Sequence, residues 1–235
     1  MFIDEIDAVR SLPFPADDFF ASMRALYNAR AEDPACRHLS FCMMGVATPY
    51  ELMQDVTRTP FNVGRGIRLE DFTREEAEPF AEELRELSVD PWQLLDPVLE
   101  WTEGHPYMTQ RVCEALVCKA VDPELPAKAL VTRLVGELFL RRGRVEDLAL
   151  SAVERLFARD RSRQPPHAAA MLALYRRLLD DERVLAVSDD PIQTELRLSG
   201  MAAERDDGAT VWLRVRNPIV ASVFDEAWVS ERLGS

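Results

Sequence analysis

Trp101-Thr-Glu-Gly-His-Pro-Tyr-Met-Thr-Gln110 reads as a corner between two helix-patterned stretches. Upstream, Asp90-Pro91 has the form of an N-cap followed by proline at the first helical position, and Leu94, Leu95, Val98 and Leu99 make an apolar stripe. Downstream, Pro106 suits a first helical turn, and Tyr107, Val112, Cys113, Leu116 and Val117 recur at helical spacing. Gly104 supplies the backbone freedom a sharp reversal needs. The second helix then begins with amides that lack intrahelical acceptors, a partial positive charge suited to an anion. The same pattern also fits a corner that binds nothing.

Ahead of this corner, strand and helix patterns alternate. Leu39-Ser-Phe-Cys-Met-Met-Gly-Val-Ala47 is a nearly continuous apolar run, which predicts a buried strand from Leu39 to Val46. Phe2-Ile3 predicts a shorter strand that stops at Asp4-Glu5, and Ile67-Arg-Leu69 a third. A strand ending in two carboxylates can hold hydrated magnesium beside a phosphate with the first acid and activate a water with the second; a polar loop fits as well. From Asp17 a helix is expected with Phe19, Phe20, Met23, Leu26 and Tyr27 on one face. Pro49 is expected to open a short helix through Leu52, and Thr57–Gly66 to form a loop carrying Arg58, Asn62 and Arg65. Thr73 and Glu76 form a capping box, and Pro79 is expected to bend the helix that follows. Alternation of this kind argues for α/β with a parallel sheet.

Behind the corner the pattern is helical. Leu130, Val131, Leu134, Val135, Leu138 and Phe139 mark one helix; Val145, Leu148, Ala152, Leu156 and Phe157 mark another. The arginines around them, Arg141, Arg142, Arg144, Arg155, Arg159, Arg161 and Arg163, interleave with acids and read as a solvated face. Arg159–Pro166 reads as a linker. A last module follows: a helix through Leu172, Tyr175, Leu178 and Leu179, a short helix from Pro191 to Leu198, and a hairpin turning at Asp206-Asp207-Gly208. A final helix capped by Asn217 should turn Ile219, Val223, Phe224, Ala227 and Trp228 inward. Two helices and a hairpin predict a winged helix. Its second helix carries Glu195 and follows Asp189 and Asp190, with Arg197 its one cation, which argues against DNA reading.

Composition narrows the function classes. A 26.7 kDa chain of net charge -13 repels nucleic acid and anionic lipid as a whole. No apolar run approaches the roughly 20 residues of a membrane span, and the first residues show no leader, so the cytoplasm is expected. Cys36 with Cys42 and Cys113 with Cys118 lack zinc-knuckle spacing; all four are expected to be buried reduced thiols without a metal role.

Together, Phe2-Ile-Asp-Glu-Ile-Asp7, Asp18-Phe-Phe20, Gly45-Val-Ala-Thr-Pro49, Thr59-Pro-Phe-Asn62, Trp101–Gln110 and Arg216-Asn-Pro218 resemble the C-terminal two thirds of the bacterial AAA-like ATPase domain, of the STAND-like branch of P-loop NTPases. The resemblance implies a partial α/β P-loop NTPase core (1–104), a helical lid (105–163) and a winged-helix module (164–235), mostly helical throughout. It implies that Asp4 holds the metal and Glu5 activates water, as a Walker B pair. It also implies that Thr48, Arg65, Gly104, His105 and Pro106 lie against nucleotide, Pro106 near adenine. ATP and Mg2+ are the implied cofactors. The phosphate-binding loop needs glycines, then lysine and Ser or Thr. Here Lys119 and Lys128 are the lysines, and no glycine-rich loop precedes either. The expectation is a truncated, mis-started or split gene product whose loop would precede Met1. It would act as a nucleotide-dependent switch through protein contacts, with a protein partner or the missing segment bound. The alternatives are a winged-helix DNA-binding regulator and an interaction module using exposed apolar surface.

Overall fold

Two parallel strands, β1 (Phe2–Ile3) and β2 (Cys42–Met43), pair with Phe2 opposite Cys42 and Ile3 opposite Met43. They belong to the first of two units, Met1–Arg68 and Leu69–Ser235, in a computed structural model that describes residues 1–11, 16–45, 52–53, 63–67, 69–118, 125–158, 164–187 and 189–234. The parallel direction matches expectation; the extent does not. β2 is two residues long rather than eight, and Cys42 is exposed. Val46 lies outside the described residues, as do Thr48, Pro49, Arg58, Asn62 and Arg159–Arg163. Ile67 and Leu69 form no strand and are 77% and 91% exposed. A parallel sheet is buried only when both faces are covered and neighbouring strands flank it. Among the described residues this sheet has two strands, and Phe2 is 78% exposed.

Helix α1 (Ala16–Ala29) buries Phe20 and Met23, but Leu26 and Tyr27 at the end of the expected stripe are exposed. Arg30 donates to the Leu39 carbonyl, and the Cys42 amide donates to the Met1 carbonyl at 2.9 Å. These contacts carry the chain from α1 to β2 through a 3-10 turn at Pro34–His38 that Asp33 caps.

The second unit is built from helices around one core. The capping box forms as expected: the Thr73 amide donates to Glu76 Oε2 at 2.9 Å, and the Glu76 amide donates to Thr73 Oγ1 at 3.2 Å. Pro79 lies in the first turn of α2 (Glu78–Leu84) and does not bend it, because the turn before it is not α-helical. A first-turn proline has no amide to lose from the ladder. Then come α3 (Trp92–Thr102), α4 (Pro106–Cys118) and α5 (Ala127–Val135), which runs on as a π-helical turn over Gly136–Leu140. Short α6 (Gly143–Glu146) and α7 (Leu148–Leu156) follow. Leu95, Val98, Val112, Leu116, Val131 and Val135 meet in the core at zero exposure.

The last stretch has the expected helices and hairpin in order, α8 (Ala168–Leu179), α9 (Pro191–Leu198), β4 (Ala202–Asp206) and β5 (Val211–Val215), with a strand the sequence pattern does not predict, β3 (Val184–Leu185), between the two helices. The strands form an antiparallel sheet in the order β3-β5-β4. The expected single final helix is two, α10 (Pro218–Val223) and α11 (Glu226–Leu233). Asp225 is extended and its carboxylate accepts the Trp228 amide at 2.9 Å, so a new helix starts there and Ala227 turns outward. Cys113 alone among the cysteines is buried, which pushes its thiol up to about 12; Cys36 is half-buried, and Cys42 and Cys118 are exposed. Cys42 and Cys118 are therefore not the buried thiols expected, since each sits on the uncovered side of its element.

Candidate functional site

The corner forms as the sequence predicts. Glu103 ends α3 at φ 49°, Gly104 follows at φ 78°, and Pro106 starts α4. Two consecutive left-handed residues reverse the chain within one turn. The corner is held from three sides. The Phe72 amide donates to the Gly104 carbonyl at 2.9 Å, bringing the segment before α2 against it. Thr102 and Thr109, both fully buried, share a hydroxyl contact at 2.8 Å across the corner. Asn217, 2% exposed, serves two helix ends at once. Its Oδ1 accepts the Val220 amide at 3.0 Å as the cap of α10, and its Nδ2 donates to the Thr102 carbonyl at 3.3 Å at the end of α3.

Charge reinforces the clasp. Arg216 makes a two-pronged pair with Asp71, Nη1 donating to Oδ2 at 2.8 Å and Nη2 to Oδ1, with both side chains about three-quarters or more buried. Arg214 pairs with Glu103 at the corner itself. Burial, then the adjacent Arg216 guanidinium, pulls Arg214 down, while Asp71 acts in the opposite direction. Strand alternation places Arg214 on the side of β5 away from buried Leu213, and Arg216 follows directly after the strand ends at Val215. In a double-mutant cycle, Asp71→Asn and Arg216→Gln should show a coupling of about 1–3 kcal/mol by urea unfolding, as expected of largely buried charged partners. Additive effects would make the pair incidental.

His105 is half-buried, and its Nδ1 is buried without a hydrogen-bond partner. Burial, then Arg216, lowers its affinity for a proton below the usual 6.5; Asp71 and Asp147 oppose this. The folded unit therefore prefers neutral His105. Its contribution is full above about pH 6.5, where the unfolded chain is also neutral, and is lost as pH falls from there through the lowered folded value. Acidification from pH 7.5 to 5.5 should destabilise the wild type more than His105→Gln, measured by thermal melts; parallel curves would contradict this.

Tyr107 extends the network to α7. Its hydroxyl donates to Asp147 Oδ2 at 2.6 Å, and Asp147 Oδ1 accepts the Leu150 amide at 3.0 Å.

The other expected residues lie in the first unit. Asp4 and Glu5 follow directly on β1, at the strand end where parallel sheets place ligands. Both are exposed; Glu5 has φ 50°, and its amide donates to Asp4 Oδ1 at 2.9 Å. Arg65 is exposed outside any regular element, and Thr48 lies outside the described residues. Among the described residues no three His, Cys, Asp or Glu side chains gather as a metal cage. Magnesium needs one or two carboxylates when phosphates and waters complete its shell. The Asp4–Glu5 pair thus fits magnesium that arrives on a phosphate, not a free-standing metal centre. On α9, Arg197 pairs with Glu204 at 2.9 Å, both side chains about one-fifth exposed, so that helix offers no free guanidinium. No helix among the described residues is long and apolar enough to cross a membrane.

Sequence reasoning missed Asp71, Glu103 and Arg214. The alternation Trp212, Arg214, Arg216 marks an outward face, but nothing local reveals partners so far away in the chain.

Comparisons with known proteins bear on both units. A model of the AAA-like domain family matches residues 1–135, from β1 to the end of α5. The chain is 37% identical over 242 residues to an uncharacterized WD repeat-containing protein of Synechocystis sp.. That match covers 99% of this chain and 19% of the relative, so the chain spans about a fifth of that protein's length. No solved structure matches the chain. The family match spans more than half of these residues, including the carboxylate pair and the corner: the chain belongs to the AAA-like domain family.

Proposed function

We propose that these residues form a nucleotide-responsive switch module, STAND-like in organisation, that acts through protein contacts. The supporting observation is the corner at Gly104-His105-Pro106, held from the C-terminal stretch by Arg214 on Glu103 and Asn217 on Thr102, with Arg216 pairing Asp71 beside Phe72, which bonds Gly104. A change at the corner is thereby felt in the C-terminal module without an intervening linker. In this reading residues 1–104 belong to the NTPase core, 105–163 to a lid, and 164–235 to a winged helix used as a switch element. Asp4 holds magnesium and Glu5 positions water; Thr48, Arg65 and the corner residues contact nucleotide, Pro106 near the base. Bound magnesium neutralises phosphate charge in such a reaction. The relative's WD repeats support a role in protein assembly.

Positioning supplies most phosphoryl-transfer catalysis, and these 235 residues contain no glycine-rich loop with its lysine. The 235-residue chain should therefore show no ATP turnover with magnesium. Turnover that disappears in Glu5→Gln would refute this and reveal another phosphate cradle. The corner's role is tested in a polypeptide that joins this chain to an AAA-like phosphate-binding loop. There Pro106→Ala should weaken ATP binding in calorimetry, and equal affinity would remove Pro106 from the site.

A further inference from the structure

Val145 and Leu148 have the spacing of core residues, yet they are 81% and 79% exposed. Asp147 explains this. Anchored at 6% exposure by the Leu150 amide and the Tyr107 hydroxyl, it breaks α6 from α7 with an extended backbone. Leu150, Val153 and Phe157 then take the inward face, and Val145 and Leu148 are left outside. Three arginines flank them. Arg142 pairs with Glu146 at 3.3 Å on the surface. Arg141 and Arg144 are exposed, with no side-chain hydrogen bond or ion pair among the described residues. The stretch follows directly on the π-helical turn Gly136–Leu140, a feature frequent at functional sites.

On a chain of net charge -13, two guanidiniums unpaired among the described residues stand within eight positions of two uncovered aliphatic side chains. We propose that Arg141, Arg144, Val145 and Leu148 form a docking surface for an acidic, leucine-bearing peptide segment of a partner protein. Charge complementarity favours that occupant: the arginines take carboxylates while Val145 and Leu148 take leucine. A polyanion would leave both aliphatic groups without a counterpart. The surface is independent of the nucleotide reading.

The probe is a fluorescein-labelled synthetic helical peptide with glutamates on one face and leucines on the other, titrated with the 235-residue chain and followed by anisotropy. Binding should weaken as salt rises. Arg141→Glu with Arg144→Glu should weaken it by roughly tenfold or more, and so should Val145→Ser with Leu148→Ser. Arg85→Glu with Arg177→Glu, of equal charge change elsewhere, should leave it unchanged. Because none of the four patch side chains is buried, melting curves of both patch variants should match the wild type. The proposal is overturned if the peptide does not bind, if its alanine-for-leucine version binds equally well, or if the patch variants bind like wild type. Preferential binding of phosphatidylserine vesicles or single-stranded DNA through the same arginines would also overturn it.

Discussion

Trp228→Ala should cost the second unit about 3–5 kcal/mol, the range for truncating a large buried aromatic. Trp228 is 2% exposed and is the largest fully buried side chain. It stacks edge-on against Phe224 at 4.7 Å between centroids and against Phe157 at 5.9 Å, so it joins α11 to the ends of α10 and α7. Its Nε1 donates to Glu154 Oε2 at 2.8 Å. Arg232 lies over the ring at 4.0 Å, pairs with Glu154 and donates to the Phe157 carbonyl at 3.1 Å. Alanine leaves a cavity and also strips cover from a guanidinium that is 5% exposed. Phe224→Ala, at zero exposure, should fall in the same range. Urea unfolding followed by circular dichroism measures both without relying on the lost fluorophore. A loss of well under about 1 kcal/mol, typical of a surface change, would make α11 peripheral.

Gly104→Ala should be comparably damaging and more local. Two independent costs combine. The left-handed backbone costs about 1–2 kcal/mol for a residue with a Cβ. The added Cβ would also stand 2.1 Å from the Phe72 carbonyl oxygen, a backbone atom that moves only if the segment before α2 moves. Relief therefore requires breaking the Phe72–Gly104 hydrogen bond and shifting the chain next to Asp71, the partner of Arg216. Amide hydrogen exchange should quicken at Phe72 and around Thr102–Thr109 and Asn217–Val220, while the middle turns of α8, whose amides are paired within the helix, stay protected. Gly208→Ala is the comparison: it shares the positive φ, but an added Cβ there meets nothing within 4 Å, so it should cost only the backbone share. Equal losses at the two glycines would show that the corner is not sterically closed.

Local rules set most of the elements in advance. The corner, the Thr73–Glu76 capping box, the proline starts at Pro106, Pro191 and Pro218, and the hairpin after Asp206 each depend on groups a few residues apart. The parallel direction of β1 and β2 and the presence of Asp4-Glu5 at a strand end were likewise legible. Burial was legible only in part. The Leu39–Val46 run is apolar whether or not neighbouring strands cover it, and here two residues pair. Val145 and Leu148 repeat at helical spacing, but Asp147, tied to Tyr107 forty residues away, set which face turned inward. The clasp on the corner belongs wholly to tertiary structure. Asp71 and Arg216 are 145 positions apart, and each alone reads as an ordinary surface charge. The sequence by itself determined turns, caps and helix starts, because their energies arise between near neighbours. Tertiary structure decided which charges meet and which apolar faces are covered, because pairing and burial depend on distant parts of the chain arriving at the same place.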